Sequence, residues 1–179
     1  MKRKIIATIL LCPIVSFAES NGTVNFSGKL VSSTCNVYLN AYSSGNSGTV
    51  TLGPVPAQNL NSNGKTSGLV SFSFLISGCN AQPVFKIYFD GGPSVDNASG
   101  RLNNTSLDAG AAKNVQLELL DSGFNNKPIF IGDSNQRTSG FYRAAAVASS
   151  ISYAVRYYAT DQAQPGQVTS DVIYTLIYQ

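Results

Sequence analysis

From residue 23 onward, apolar and polar side chains alternate with a period of two, the spacing that lays one face of an extended strand on a core. In segment 23–30, Val24, Phe26 and Leu30 fall on one face, and Thr23, Asn25, Ser27 and Lys29 on the other. Further strand-like runs lie at 34–39, 48–52, 69–76, 84–89, 115–120, 127–131, 150–159 and 168–178. Turn-forming stretches separate them, among them Ser43-Ser44-Gly45-Asn46, Asn61-Ser62-Asn63-Gly64 and Asp90-Gly91-Gly92-Pro93. Many short strands with regular turns predict an all-β antiparallel sandwich. Segment 141–148 (FYRAAAVA) alone has a composition that a local helix would also accept.

The first residues read differently. Lys2, Arg3 and Lys4 precede an apolar run from Ile5 to Leu11, and Ser16-Phe17-Ala18 sets small residues at the positions a signal peptidase reads. Residues 1–18 are therefore expected to be a secretory signal peptide, with an apolar run too short for a membrane anchor. Its removal would leave 161 of the 179 residues, enough for one domain. Three of the 12 Lys and Arg would leave with it, so nine would face nine Asp and Glu and the formal +3 would become zero. A chain without net positive charge is not expected to grip nucleic acid or anionic lipid.

Histidine is absent. That excludes Ser-His and Cys-His nucleophile systems, imidazole bases and His-containing metal sites. Gly64-Lys65-Thr66 ends like a phosphate-binding loop, but Asn59 stands where that loop needs its first glycine. Asp90, Asp96 and Asn97 lack the spacing and bidentate Glu of a calcium loop. No cofactor and no catalytic role are expected.

Cys12 lies in the signal segment, leaving Cys35 and Cys79 as an even pair in an exported chain. Such a pair reads as a disulfide, with two buried free thiols as the alternative. Closing a loop of this length stabilises by about 4 kcal/mol in the chain-entropy description. At the other end of the chain, Val172, Tyr174, Leu176 and Tyr178 share one strand face, while Ile173 and Ile177 make the opposite face apolar too. An apolar strand running to the last residue, Gln179, is an aggregation hazard unless another segment covers it.

These features together resemble the pilin subunits of chaperone–usher fimbriae, above all those of the type 1 kind. The likeness rests on Gly22-Thr23-Val24 through Gly28 ahead of Cys35, on Ser77-Gly78-Cys79, on the run from Val115 to Asp121, and on Arg156-Tyr157-Tyr158-Ala159-Thr160. It also rests on Gly166, fourteenth from the end, and the penultimate Tyr178. The resemblance implies an incomplete immunoglobulin-like β-sandwich lacking its final strand. It divides the chain into a signal peptide (1–18), an N-terminal donor-strand extension (19–31) and a pilin domain (32–179).

Carried over by motif, Gly22, Val24, Phe26, Gly28 and Leu30 would enter a neighbouring subunit's groove. Gly166, Val172, Tyr174, Leu176, Tyr178 and Gln179 would form the acceptor groove and chaperone contact. The implied partners are a periplasmic pilus chaperone, an outer-membrane usher and neighbouring pilin subunits, with export through the periplasm to a fimbrium on the cell surface. Two other readings stand beside this one: a minor tip adaptor of the same fibre, and a self-complete secreted carbohydrate-binding β-sandwich.

Overall fold

The computed structural model describes residues 35–40, 47–79, 82–138, 140–143 and 148–179. The signal segment and the expected donor extension, 19–31, lie outside the described residues. Among the described residues ten strands occur in order: β1 (Asn36–Leu39), β2 (Thr66–Ser77), β3 (Val84–Phe89), β4 (Val95–Asp96), β5 (Arg101–Asn103), β6 (Lys113–Asp121), β7 (Lys127–Pro128), β8 (Tyr142–Arg143), β9 (Ala148–Gln164) and β10 (Tyr174–Tyr178). Three short 3₁₀ turns join them, at Ala57–Leu60, Ser122–Phe124 and Ser134–Arg137. Among the described residues there is no α-helix, and none long and apolar enough to cross a membrane.

Two antiparallel sheets hold these strands. The larger runs β1-β2-β9-β6-β5-β4, with β7 also paired to β6; the smaller runs β10-β3-β8. Alternation fixes which residues meet between them. Phe72, Phe74 and Ile76 of β2 are buried together with Phe85, Ile87 and Phe89 of β3, Leu117 and Leu119 of β6, and Tyr153 and Val155 of β9. The Tyr153 ring packs 5.1 Å from Phe89 edge-on and 5.9 Å from both Phe72 and Phe74, so aromatic contacts bridge the two sheets. A disulfide joins Cys35 to Cys79, Cα atoms 4.3 Å apart, and ties the start of β1 to the loop after β2.

The outer face of the large sheet carries one buried charge. Glu118 is paired on one side with Arg101 at 3.0 Å and on the other with Arg156 at 2.6 Å. Arg101 in turn lies over the Tyr158 ring, 3.5 Å from its centroid.

Several sequence expectations need correction. The run at 48–52 joins neither sheet among the described residues, although its burial still alternates: Val50 and Leu52 are half-buried, Thr49 and Thr51 exposed. The run at 168–178 forms a strand only from Tyr174, because Gln167 and Thr169 bond instead to the 104–112 loop. The ambiguous 141–148 contributes strand at Tyr142–Arg143 and, from Ala148, the start of β9, with 144–147 outside the described residues. The short hairpin β4–β5 carries too little alternation to be seen in advance.

Candidate functional site

The last strand positions the site. β10 pairs with β3 from Tyr174↔Phe89 to Tyr178↔Phe85, and the ladder continues at both ends with Asp90 N–H donating to the Ile173 carbonyl and Gln179 N–H to the Val84 carbonyl, each 2.9 Å. Residues 173 and 179 thus aim their backbone groups at β3. Antiparallel alternation turns those of Leu176 and Tyr178 toward the opposite edge, where no strand pairs among the described residues. Side chains alternate perpendicular to this: Val172, Tyr174, Leu176 and Tyr178 pack on the core, while Ile173 is 64% exposed. The Tyr174 ring lies 4.6 Å from that of Phe74, and burial pushes its phenol above the ordinary tyrosine range.

Beside that edge lies an open apolar slot of about 800 Å³. Val172, Tyr174 and Leu176 form one wall and 47–52 the other; Phe72, Phe74, Leu117, Leu119 and Val155 make its floor. It continues into a second hollow of about 530 Å³ through shared Thr49, Val50, Leu52, Leu117 and Ser170. The second hollow reaches Leu60, Val115, Val168 and Gly166. A sandwich interior is normally close-packed; here the described residues of the two sheets leave a trench at one side.

Gly166 sits at the far end, and space dictates its identity. A Cβ there would overlap the Gly110 carbonyl oxygen and the Ala112 backbone nitrogen. Without one, Gln167 can exchange backbone bonds with Gly110 and Ala112 at 3.0 and 2.9 Å. Gln179 lies outside the slot's lining, exposed, with its N–H held by β3. Tyr178 also lies outside that lining; it packs on the core, its hydroxyl accepting the Cys35 N–H at 3.2 Å.

The wall at 47–55 was not assigned to a site by sequence reasoning. The available signal was the alternation Thr49-Val50-Thr51-Leu52 followed by Pro54 and Pro56, neither of which has an N–H for a ladder. Gly48 lets this wall approach β1: a Cβ there would meet Leu39 Cδ2 at 2.9 Å.

The trench has little acid–base chemistry. Asp171 at its rim accepts the Ser94 hydroxyl at 2.7 Å, and Asp90 accepts the Thr175 hydroxyl at the same distance. Among the described residues no three His, Cys, Asp or Glu are grouped to hold a metal ion. An apolar floor beside a strand edge with backbone donors and acceptors is suited to one kind of occupant, an extended peptide that adds a strand.

A family model described as fimbrial protein matches residues 24–179. The chain is 36% identical over 165 residues to the F17 fimbrial protein of Escherichia coli, covering 89% of this chain and 88% of that one. It is 36% identical over 162 residues to the major fimbrial subunit SMF-1 of Stenotrophomonas maltophilia, covering 89% and 93%. Among solved structures it is similar to a Burkholderia pseudomallei antigen and type I fimbria protein, at 24% identity and TM-score 0.57 over 82% of this chain and all of that one. It is also similar to a chain from a chaperone–usher pilus, at 16% identity and TM-score 0.59 over 92% and 99%. At these identities the structures speak to the fold, which is that of immunoglobulin-like pilins.

Proposed function

The chain belongs to the fimbrial protein family, and from that premise we propose that its trench is the acceptor for a strand donated by another molecule. It is a structural subunit of a fimbria. In the proposed cycle, a periplasmic chaperone first lends the strand, an outer-membrane usher receives the complex, and the extension of the next subunit, residues 19–31, then takes the chaperone's place. The fibre grows by repeating that exchange on the cell surface, and no catalytic step or cofactor is required.

The observation that carries this reading is the edge of β10, with Leu176 and Tyr178 backbone groups turned away from β3, directly beside an apolar trench. The extension has matching dimensions. Val24, Phe26, Gly28 and Leu30 span six residue steps, as do Val172, Tyr174, Leu176 and Tyr178, each about 20 Å in extended chain. Ladder bonds to β10 would hold the arm whatever its sequence, and the alternate side chains would set its register. Burial of Val24, Phe26 and Leu30 contributes about 5–9 kcal/mol at the usual value per apolar side chain. Gly22 and Gly28 allow close backbone approach.

Phe26→Asp tests the assignment. The variant should be captured by chaperone as well as the unaltered chain and yet form no fibre; normal polymerisation would refute the role of the arm. Removal of Tyr178 and Gln179 should abolish recovery of the chaperone complex, and undiminished recovery would refute the role of the C-terminal strand.

A further inference from the structure

Strand exchange uses one side of the sandwich. Two features at its ends remain unused, and they are complementary. Leu107 is fully exposed on the loop that precedes β6. A lone exposed leucine is ordinary, but this one is held out by a pinned loop. Asn104 Nδ2 donates to the carbonyls of Ala112 and Gln167, both at 2.9 Å, while its Oδ1 accepts the N–H groups of Ser106 at 3.1 Å and Thr169 at 3.0 Å. At the far end of β6, about 27 Å away along eight residue steps, lies a hollow of about 550 Å³ with an apolar floor that includes Ile87 and Phe89. Phe124 and Phe130 rim it and remain 49% and 43% exposed.

We propose that Leu107 of one copy inserts between Phe124 and Phe130 of a second copy in the same fibre. The contact rests on the reading of the chain as a polymer subunit and adds to strand exchange a second, sideways or end-to-end hold between copies. One charge pair at the rim fits the same contact. Asp108 follows Leu107, and exposed Lys127 stands at the rim of the hollow. The hollow's lining balances Lys86 and Lys127 against two carboxylates, Asp133, bonded by Asn135 at 2.8 and 3.2 Å, and Asp121, buried with one oxygen on the Gly123 N–H at 3.1 Å. Knob and socket at opposite ends of one strand cannot meet within a copy. A contact of two different patches is heterologous: it repeats head to tail, as a ring where its rotation closes and as an open filament where it does not, the second being the form a fibre needs.

The test uses assembled fibres of the full chain. With Leu107→Cys and Phe124→Cys together, mild oxidation should give a ladder of covalently joined copies on a boiled, non-reducing gel, and neither single variant should give more than a dimer. Leu107→Asp should leave fibres forming but lower their persistence length in electron micrographs at least about two-fold, since the knob is the anchor of the contact. Asp108→Lys should act in the same direction, and adding Lys127→Asp should restore stiffness. Fibres of unchanged stiffness with no ladder would overturn this contact and leave strand exchange standing. Failure of the unaltered chain to form fibres at all would overturn the polymer reading, and the contact with it.

Discussion

The backbone N–H of Cys35 donates to the Tyr178 hydroxyl across 3.2 Å, joining the head of β1 to the tail of β10. These are the edge strands of the two different sheets, and the trench runs between them. The penultimate tyrosine is therefore a clasp between the edges of the two sheets. Tyr178→Phe keeps the ring on the core and deletes only the acceptor. It should cost about 1 kcal/mol in the urea unfolding of the strand-complemented domain, the usual net worth of one hydrogen bond.

Gly166 works by having no side chain. Gly166→Ala would press a methyl onto the backbone of Gly110 and Ala112, where nothing flexible can yield. Overpacking of this kind costs about 1–3 kcal/mol. The shift should appear both in thermal unfolding and as faster exchange of the Gln167 amide, whose bond to Gly110 would be strained.

Most of the sandwich was legible because burial on one face writes itself into the sequence with period two. Val84–Phe89 was read to the residue, and β2, β6 and β9 were longer than their apolar runs only because polar ends continue the ladders. The trench was harder to see. Val50 and Leu52 alternate like a strand yet join no ladder among the described residues, so periodicity recognises the apolar face and is silent about its pairing. Residues 168–173 fail differently. Thr169 bonds to the 104–112 loop and Asp171 to Ser94, long-range contacts that leave no local pattern, and only Ile173 already meets the β3 ladder through Asp90. The Phe124–Phe130 hollow depends on the crossing of loops from both sheets, for which no local spacing exists.

Glu118 tests the outer face of the large sheet. Its carboxylate is almost fully buried between two guanidinium groups that remain about a quarter exposed. Breaking a fully buried pair costs 3–5 kcal/mol; with both arginines able to turn toward water, Glu118→Ala should cost about 2–3 kcal/mol. A double-mutant cycle with Arg156→Ala should recover much of that as coupling, because Arg156 meets Glu118 through both Nε and Nη2.

Asp121 carries a pH signature. Burial raises its carboxyl above the ordinary 3.8, opposed by the Gly123 N–H, the Lys86 ammonium and the Tyr142 hydroxyl. Between the ordinary value and the raised one, the folded chain holds a proton that the unfolded chain has released. This contribution to stability is greatest below that window and falls as pH rises through it. Asp121→Asn keeps an acceptor for the Gly123 N–H and removes the titration. Urea midpoints of the variant should change less between pH 4 and pH 7 than those of the unaltered domain, and should not be lower at pH 7.

The proposed assembly cycle depends on the fold's needing a strand from outside. The direct measurement is the thermal unfolding of a chain starting at residue 32, with and without a synthetic peptide of residues 19–31. The expected result is a weakly stable, self-associating domain that becomes a stable one-to-one complex when the peptide is added, and stays unstable when the peptide carries Phe26→Asp. A domain that unfolds cooperatively as a stable monomer at the same temperature in all three cases would contradict it.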